Sequence, residues 1–399
     1  MEEKKYTAIQ KVAVLSIAML VYTTSLANSS LGAIANAFPD LDALTIKQTS
    51  TIPPLMMIPF GLLAGFLVRF MRKKTVILIA IVLEFVGGIA PAIYNKDFTF
   101  ILASRYVFGA GFGLIFPFLV SVIADLFKGD ERRDMMGYKG SFSALSGIIC
   151  SLLGGYLASI HWSYAFYGMF IIVPVFFLVL FKMPHPEEHA VEKAEVKAPI
   201  RLIPKLNTNG WVIIGFNLLF NIMMFTYTSN LAIVMAKDKI TNPAGAGATL
   251  AVNTGIAFLT GIFFGKLVKP VFKKYTLVFA LLMIGSSFVT LIYAARYLHF
   301  AIAACLYGIG FGTYNADIAL TLMDRVPKEE SSLVMSLYLC AQGLGQYLCP
   351  PVVALLTGAL GFQGTRSPWM VAGPSLIIAA AILAAVKIYE KKKGSPLWT

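Results

Sequence analysis

Apolar runs of roughly 20 residues recur along the whole chain, each long enough as a helix to cross about 30 Å of hydrocarbon. They lie near 11–36, 46–69, 75–94, 98–127, 135–159, 163–182, 209–235, 246–268, 275–295, 299–325, 332–358 and 368–387. Only 13% of the 399 residues are charged, 58% are apolar and the mean hydropathy is +0.75. That is too little charge to cover a soluble surface. The expected fold class is therefore an all-α membrane protein with twelve transmembrane helices.

The two halves of the chain repeat one another. Gly61-Leu-Leu-Ala-Gly65-Phe-Leu-Val-Arg69-Phe-Met-Arg72-Lys73-Lys74 is echoed by Gly261-Ile-Phe-Phe-Gly265-Lys-Leu-Val-Lys269-Pro-Val-Phe-Lys273-Lys274. Gly109-Ala-Gly111-Phe-Gly113 runs on to Asp125, and Gly308-Ile-Gly310-Phe-Gly312 runs on to Asp324. A near-constant offset implies an internal structural repeat. It predicts two pseudo-symmetric six-helix bundles, 1–182 and 209–399, joined by a polar cytoplasmic linker, 183–208. This is the plan of a secondary transporter. Paired glycines such as Gly61 and Gly65, Gly109 and Gly113, and Gly261 and Gly265 are expected to let helices approach closely.

With the N-terminus in the cytoplasm, only Lys47, Lys96, Arg105, Lys237, Lys239, Arg296 and Arg366 fall outside, and the rest of the 33 basic residues fall inside. This asymmetry sets orientation. It predicts a multi-pass protein of the cytoplasmic membrane with both termini cytoplasmic. The net charge of +13 then reads as topology and attraction to anionic lipid, not as nucleic-acid binding. Cys150, Cys305, Cys340 and Cys349 lie within spans, and His161, His185, His189 and His299 at span ends or in the linker. Neither set has metal-ligand spacing, so no metal and no cofactor is expected. No Gly-x-x-x-x-Gly-Lys-Ser/Thr loop occurs, so an ion or solute gradient is the expected energy source.

These residues resemble the major facilitator superfamily, and within it the bacterial drug:proton antiporter type. The stretch Gly65 to Lys74 sits where that family carries a Gly-x-Leu-Ala-Asp-Arg-x-Gly-Arg-Arg motif, with Arg69 in place of its Asp and Arg72 in place of its second Gly. Arg105-Tyr-Val-Phe-Gly109-Ala-Gly111-Phe-Gly113 matches the span-four motif. The span-five motif keeps Gly154-Gly155 but has Cys150-Ser151 where the family has Gly-Pro, and His161-Trp162-Ser-Tyr-Ala-Phe166 resembles the opening of span six.

Ionisable groups within spans are costly, so each is a candidate site. Asp317 lies seven residues, about 10 Å, from Asp324, and shares a face with Tyr314. It is a candidate for proton or substrate binding, or a structural hydrogen bond. Glu84 lies about 15 Å into its span from Lys74, on a face with Gly87, Gly88 and Pro91. Proton coupling and packed burial are both open to it. Arg105 lies about 30 Å along its span from Asp125, near the outer mouth, where it either takes part in coupling or snorkels. Arg69 with Asp125, and Lys269 with Asp324, are candidate ion pairs of a cytoplasmic gate.

The resemblance implies a central cavity lined by spans one, four, seven and ten. Candidate wall residues are Tyr22, Asn28, Phe112, Phe116, Asn217, Asn221, Tyr227, Tyr314, Asn315, Asp317, Gln342 and Gln346. An aromatic wall facing an acidic one suits an amphipathic organic solute. The expected partners are a small-molecule solute, protons and membrane lipid, and the expected state is a monomer. The leading expectation is alternating-access, proton-coupled antiport (efflux) of that solute; the alternative is proton-coupled uptake symport or solute exchange of an organic anion or other metabolite. A non-transporting sensor and a membrane enzyme are the rival classes.

Overall fold

The computed structural model describes residues 6–185, 208–323 and 331–393. Their regular elements are all helical. Ten stretches are long and apolar enough to cross a membrane. One of them, Pro243–Ile292, holds two helices, and the helix Tyr297–Met323 comes after it. Among the described residues this gives twelve spans. We label them α1 (Ala8–Ala37), α2 (Ala43–Leu67), α3 (Lys73–Ile93), α4 (Phe98–Leu126), α5 (Gly129–Ile160), α6 (Trp162–Lys182), α7 (Gly210–Lys237), α8 (Pro243–Phe263), α9 (Thr276–Ile292), α10 (Tyr297–Met323), α11 (Ser331–Ala359) and α12 (Ser367–Lys393).

Helices are the answer here because backbone N–H and C=O groups in hydrocarbon find partners only within the segment. Their starts reflect local chemistry. The Asp97 side chain accepts from the Thr99 amide at 2.9 Å at the head of α4, and Asn242 accepts from the Gly245 amide at 3.1 Å ahead of Pro243. Proline occupies several interiors, as at Pro53, Pro54 and Pro59 in α2 and Pro350 and Pro351 in α11. In α1 the stretch Ile17–Tyr22 winds as a 3₁₀ helix. Serines of α5 supply donors for its carbonyls: Ser143 to Ala18 at 3.1 Å and Ser146 to Met19 at 2.5 Å. The irregular winding is tolerated because a neighbouring helix satisfies it.

The chain forms two compact units, Met1–Asn28 with Gln48–Arg201, and Ser29–Lys47 with Leu202–Thr399. The far end of α1 and the start of α2 thus belong to the second unit. There a Cβ on Gly32 would overlap the Ala232 carbonyl, so only glycine admits that crossing.

The sequence repeat is a repeat of helix crossings. In the first unit, a side chain at Gly111 would strike α3 at Ala80 and Glu84, and one at Gly109 or Gly113 would strike α2 at Met56. In the second unit, Gly310 meets α9 at Ala280 and Ile284, while Gly308 and Gly312 meet α8 at Ile256 and at Ala257. Glu84 and Ile284 therefore hold equivalent places. Gly65, Gly261 and Gly265 differ from expectation, since a Cβ on any of them would have nothing within 4 Å. They are not packing positions within their units.

Candidate functional site

Three fully buried side chains of the first unit form a polar group: Thr23 at 1% exposure, and Glu84 and Arg105 at 0%. The Thr23 hydroxyl lies 2.5 Å from Glu84 Oε1 and 2.8 Å from the Leu20 carbonyl. A hydroxyl has one hydrogen. When Glu84 is ionised, Thr23 donates to it; when Glu84 is protonated, it can donate to Thr23, which then donates to Leu20. Both protonation states are thereby accommodated without moving a heavy atom. Glu84 Oε2 has no partner.

Arg105 extends from α4 to α3 because Gly87 allows close approach there: a Cβ on Gly87 would strike the Phe108 amide and the Ser104 carbonyl. Its Nη2 donates to the Gly87 carbonyl at 2.8 Å, and its guanidinium lies 4.6 Å from the Phe108 ring centre and 5.1 Å from that of Phe166. Arg105 Nε and Nη1 are unpartnered, as is Glu84 Oε2. Arg105 is thus fully enclosed rather than snorkelling. No ion pair joins it to Glu84 among the described residues.

The second unit joins three expected wall residues in one network. Asn217 Nδ2 donates to the Tyr338 carbonyl at 3.0 Å, Asn221 Nδ2 to Asn217 Oδ1 at 2.9 Å, and the Tyr314 hydroxyl to the same Oδ1 at 2.9 Å. Phe220 stacks on Tyr314 with ring centres 3.5 Å apart. All three polar residues are buried and tie α7 to α10 and α11. Tyr227 stacks on Tyr307 at 4.0 Å, and its hydroxyl is buried without a partner. Asn315 is half-buried and donates to the Phe311 carbonyl of its own helix. Gln342, Gln346, Tyr22 and Asn28 are half-buried. In the first unit Phe112 packs edge-on to Phe116 at 5.8 Å. The second unit also has a half-open cavity of about 400 Å³ lined by Asn36, Leu41, Ile46, Ile233 and Lys237 among others. None of the expected wall residues lines it.

The ion pairs differ from the expected ones. Asp125 is held by Lys73 at 2.6 Å; Arg69 is exposed and makes no ion pair among the described residues. The reason is local. Arg69 sits in the turn before α3, whereas Lys73 is the first residue of α3. In the second unit Lys269 meets Asp317 at 2.6 Å, so Asp317 is not a lone carboxylate. Asp324 lies outside the described residues. Three further pairs were not foreseen: Lys11 with Glu131 at 2.5 Å, Arg366 with Asp238 at 2.8 Å, and the exposed pair of Arg133 with Asp130 at 3.1 Å. Nor was Thr23, which stands 61 positions from Glu84.

Two units with repeated crossings of glycine-bearing helices and buried ionisable groups define a multi-span helical membrane fold. Solved structures agree. The chain is similar to the nucleoside transporter NupG, with a TM-score of 0.74, 11% identity, and coverage of 94% of this chain and 99% of that one. A D-xylose–proton symporter gives a TM-score of 0.69 at 14% identity, covering 94% and 96%. The Major Facilitator Superfamily model matches residues 13–282 and 214–397, and the chain belongs to that family. It is a membrane transporter and not an enzyme. Among curated relatives, the bacillibactin exporter of Bacillus subtilis is 27% identical over 310 residues, 74% of this chain and 76% of that protein. The quinolone resistance protein NorA of Staphylococcus aureus is 22% identical over 375 residues, 92% and 90% of the two chains.

Proposed function

We propose that the chain exports a small amphipathic organic solute across a bacterial cytoplasmic membrane by alternating access, in exchange for protons. The observation that carries this is the likeness, across 74% of the chain, to a protein named as an exporter. The family's architecture supports two bundles, 1–182 and 209–399, with the linker 183–208 and both termini in the cytoplasm. A monomer suffices for this cycle.

Asp317, Glu84 and Arg105 are the proposed proton-coupling groups, the two carboxylates as the proton-binding ones. Asp317 is mostly buried and answers to one cation, Lys269. Glu84 has a hydrogen-bond arrangement that serves it charged or neutral. The expected wall residues are the proposed solute contacts, and the Lys73–Asp125 pair is the proposed inner latch of the first bundle.

The test is flux in proteoliposomes with an imposed pH gradient, using a fluorescent quinolone and ethidium as probes, then organic anions and sugars. Gradient-driven accumulation in vesicles of inverted orientation supports export by antiport. Accumulation with the gradient reversed establishes uptake symport instead. Exchange indifferent to pH removes the proton.

A further inference from the structure

We propose that Lys269 is the built-in counter-ion of Asp317, and that the ion pair clasps the stretch 264–275 against α10. From Pro243 to Met323 the chain carries one carboxylate, Asp317, and five firm cations, Lys266, Lys269, Lys273, Lys274 and Arg296. Of these only Lys269 reaches it, at 2.6 Å, with the carboxylate side chain 11% exposed and the lysine 47% exposed. Lys274 donates instead to the Lys387 carbonyl at 3.3 Å.

The backbone ahead of Lys269 is built for this reach. α8 ends in a π-helical turn, Phe264–Val268, a form that inserts an extra residue and rotates the chain beyond it. Lys269 then lies with its Nζ 5.8 Å from the Phe264 ring centre, and Phe264 is the one buried residue of that turn. Further on, the chain kinks again at Lys273, with φ 48°.

The repeat shows that the device is peculiar to the second unit. Glycines 61 and 261 align Lys269 with Arg69, and glycines 109 and 308 align Asp317 with Phe118. In the first unit the cation is exposed and there is no acid opposite it. Only the second unit pairs that cation with an acid, two helical turns in from the end position that Asp125 occupies.

The functional meaning rests on the proposed proton-binding role of Asp317. A proton loaded there removes the negative charge, releases Lys269 and frees the 264–275 stretch. α9 offers Lys269 no alternative, since Thr276–Ile292 contains no charged residue.

Hydrogen exchange on the purified full-length protein tests the clasp. Peptides covering 264–275 should exchange about fivefold faster in Asp317→Asn and in Lys269→Gln, the size expected for a partly exposed pair. The double variant should be no faster than either single one. The swap Lys269→Asp with Asp317→Lys, and the conservative Lys269→Arg, should restore slow exchange; Lys266→Gln should change nothing. Unchanged exchange in both single variants overturns the proposal, as does additivity in the double. Peptides of α4 monitor folding, and if a single variant unfolds, the swap and Lys269→Arg decide. Gradient-driven flux in Asp317→Asn separately tests the proton role, so either result can fail alone.

Discussion

Glu84 and Arg105 leave three polar atoms without partners in a fully buried place, a cost that stability alone does not justify. Glu84→Gln keeps shape and hydrogen bonding but removes the exchangeable proton. It should retain solute counterflow yet lose accumulation driven by a pH gradient; full accumulation would return Glu84 to a packing role. Thr23→Val removes the partner of Glu84 Oε1, which should lower stability by about 1–3 kcal/mol, seen as a lower unfolding temperature in detergent. The inward aim of Glu84 is readable from Gly87 and Gly88 on its face. Its partner is not, because α1 and α3 are brought together by packing across 61 positions.

At the scale of elements, the glycines separate into two kinds that sequence spacing treats alike. Gly111→Ala and Gly310→Ala would drive a methyl into the backbone of α3 or α9. Each should cost about 1–3 kcal/mol and reduce the yield of folded protein. Gly65→Ala and Gly265→Ala meet open space and should stay within about 0.5 kcal/mol of the parent. Thermal unfolding of the four variants checks both halves of this contrast.

The start of α2 adds a pH-dependent element. The Thr45 hydroxyl and then the Thr45 amide hold the Asp42 carboxyl below its ordinary value, the amide donating at 3.0 Å. A lowered folded-state value means this cap stabilises fully above the ordinary carboxylate range and is lost as pH falls through the lowered value. Asp42→Ala should cost about 0.5–1 kcal/mol at neutral pH. Its difference from the parent should vanish in strong acid; a difference independent of pH would show that the carboxylate charge plays no part.

For the whole molecule, the proposed orientation predicts opposite accessibility at two exposed positions. In intact cells, a membrane-impermeant thiol reagent should label Gln363→Cys, between α11 and α12, and spare Arg133→Cys, near the start of α5. Labelling of Arg133→Cys would invert the topology. The number and order of spans, the helical class and the two-fold repeat were all determined by the sequence, because hydrocarbon forces each apolar run to close its own hydrogen bonds and each crossing to keep its small residues. The tertiary structure alone decided that Lys73 rather than Arg69 holds Asp125, that Lys269 holds Asp317, that Arg105 is enclosed, and that Ser29–Lys47 joins the second unit. Such pairings depend on the rotation of one helix against another, and a single π-helical turn or a glycine contact resets that rotation without leaving a periodic trace in the chain.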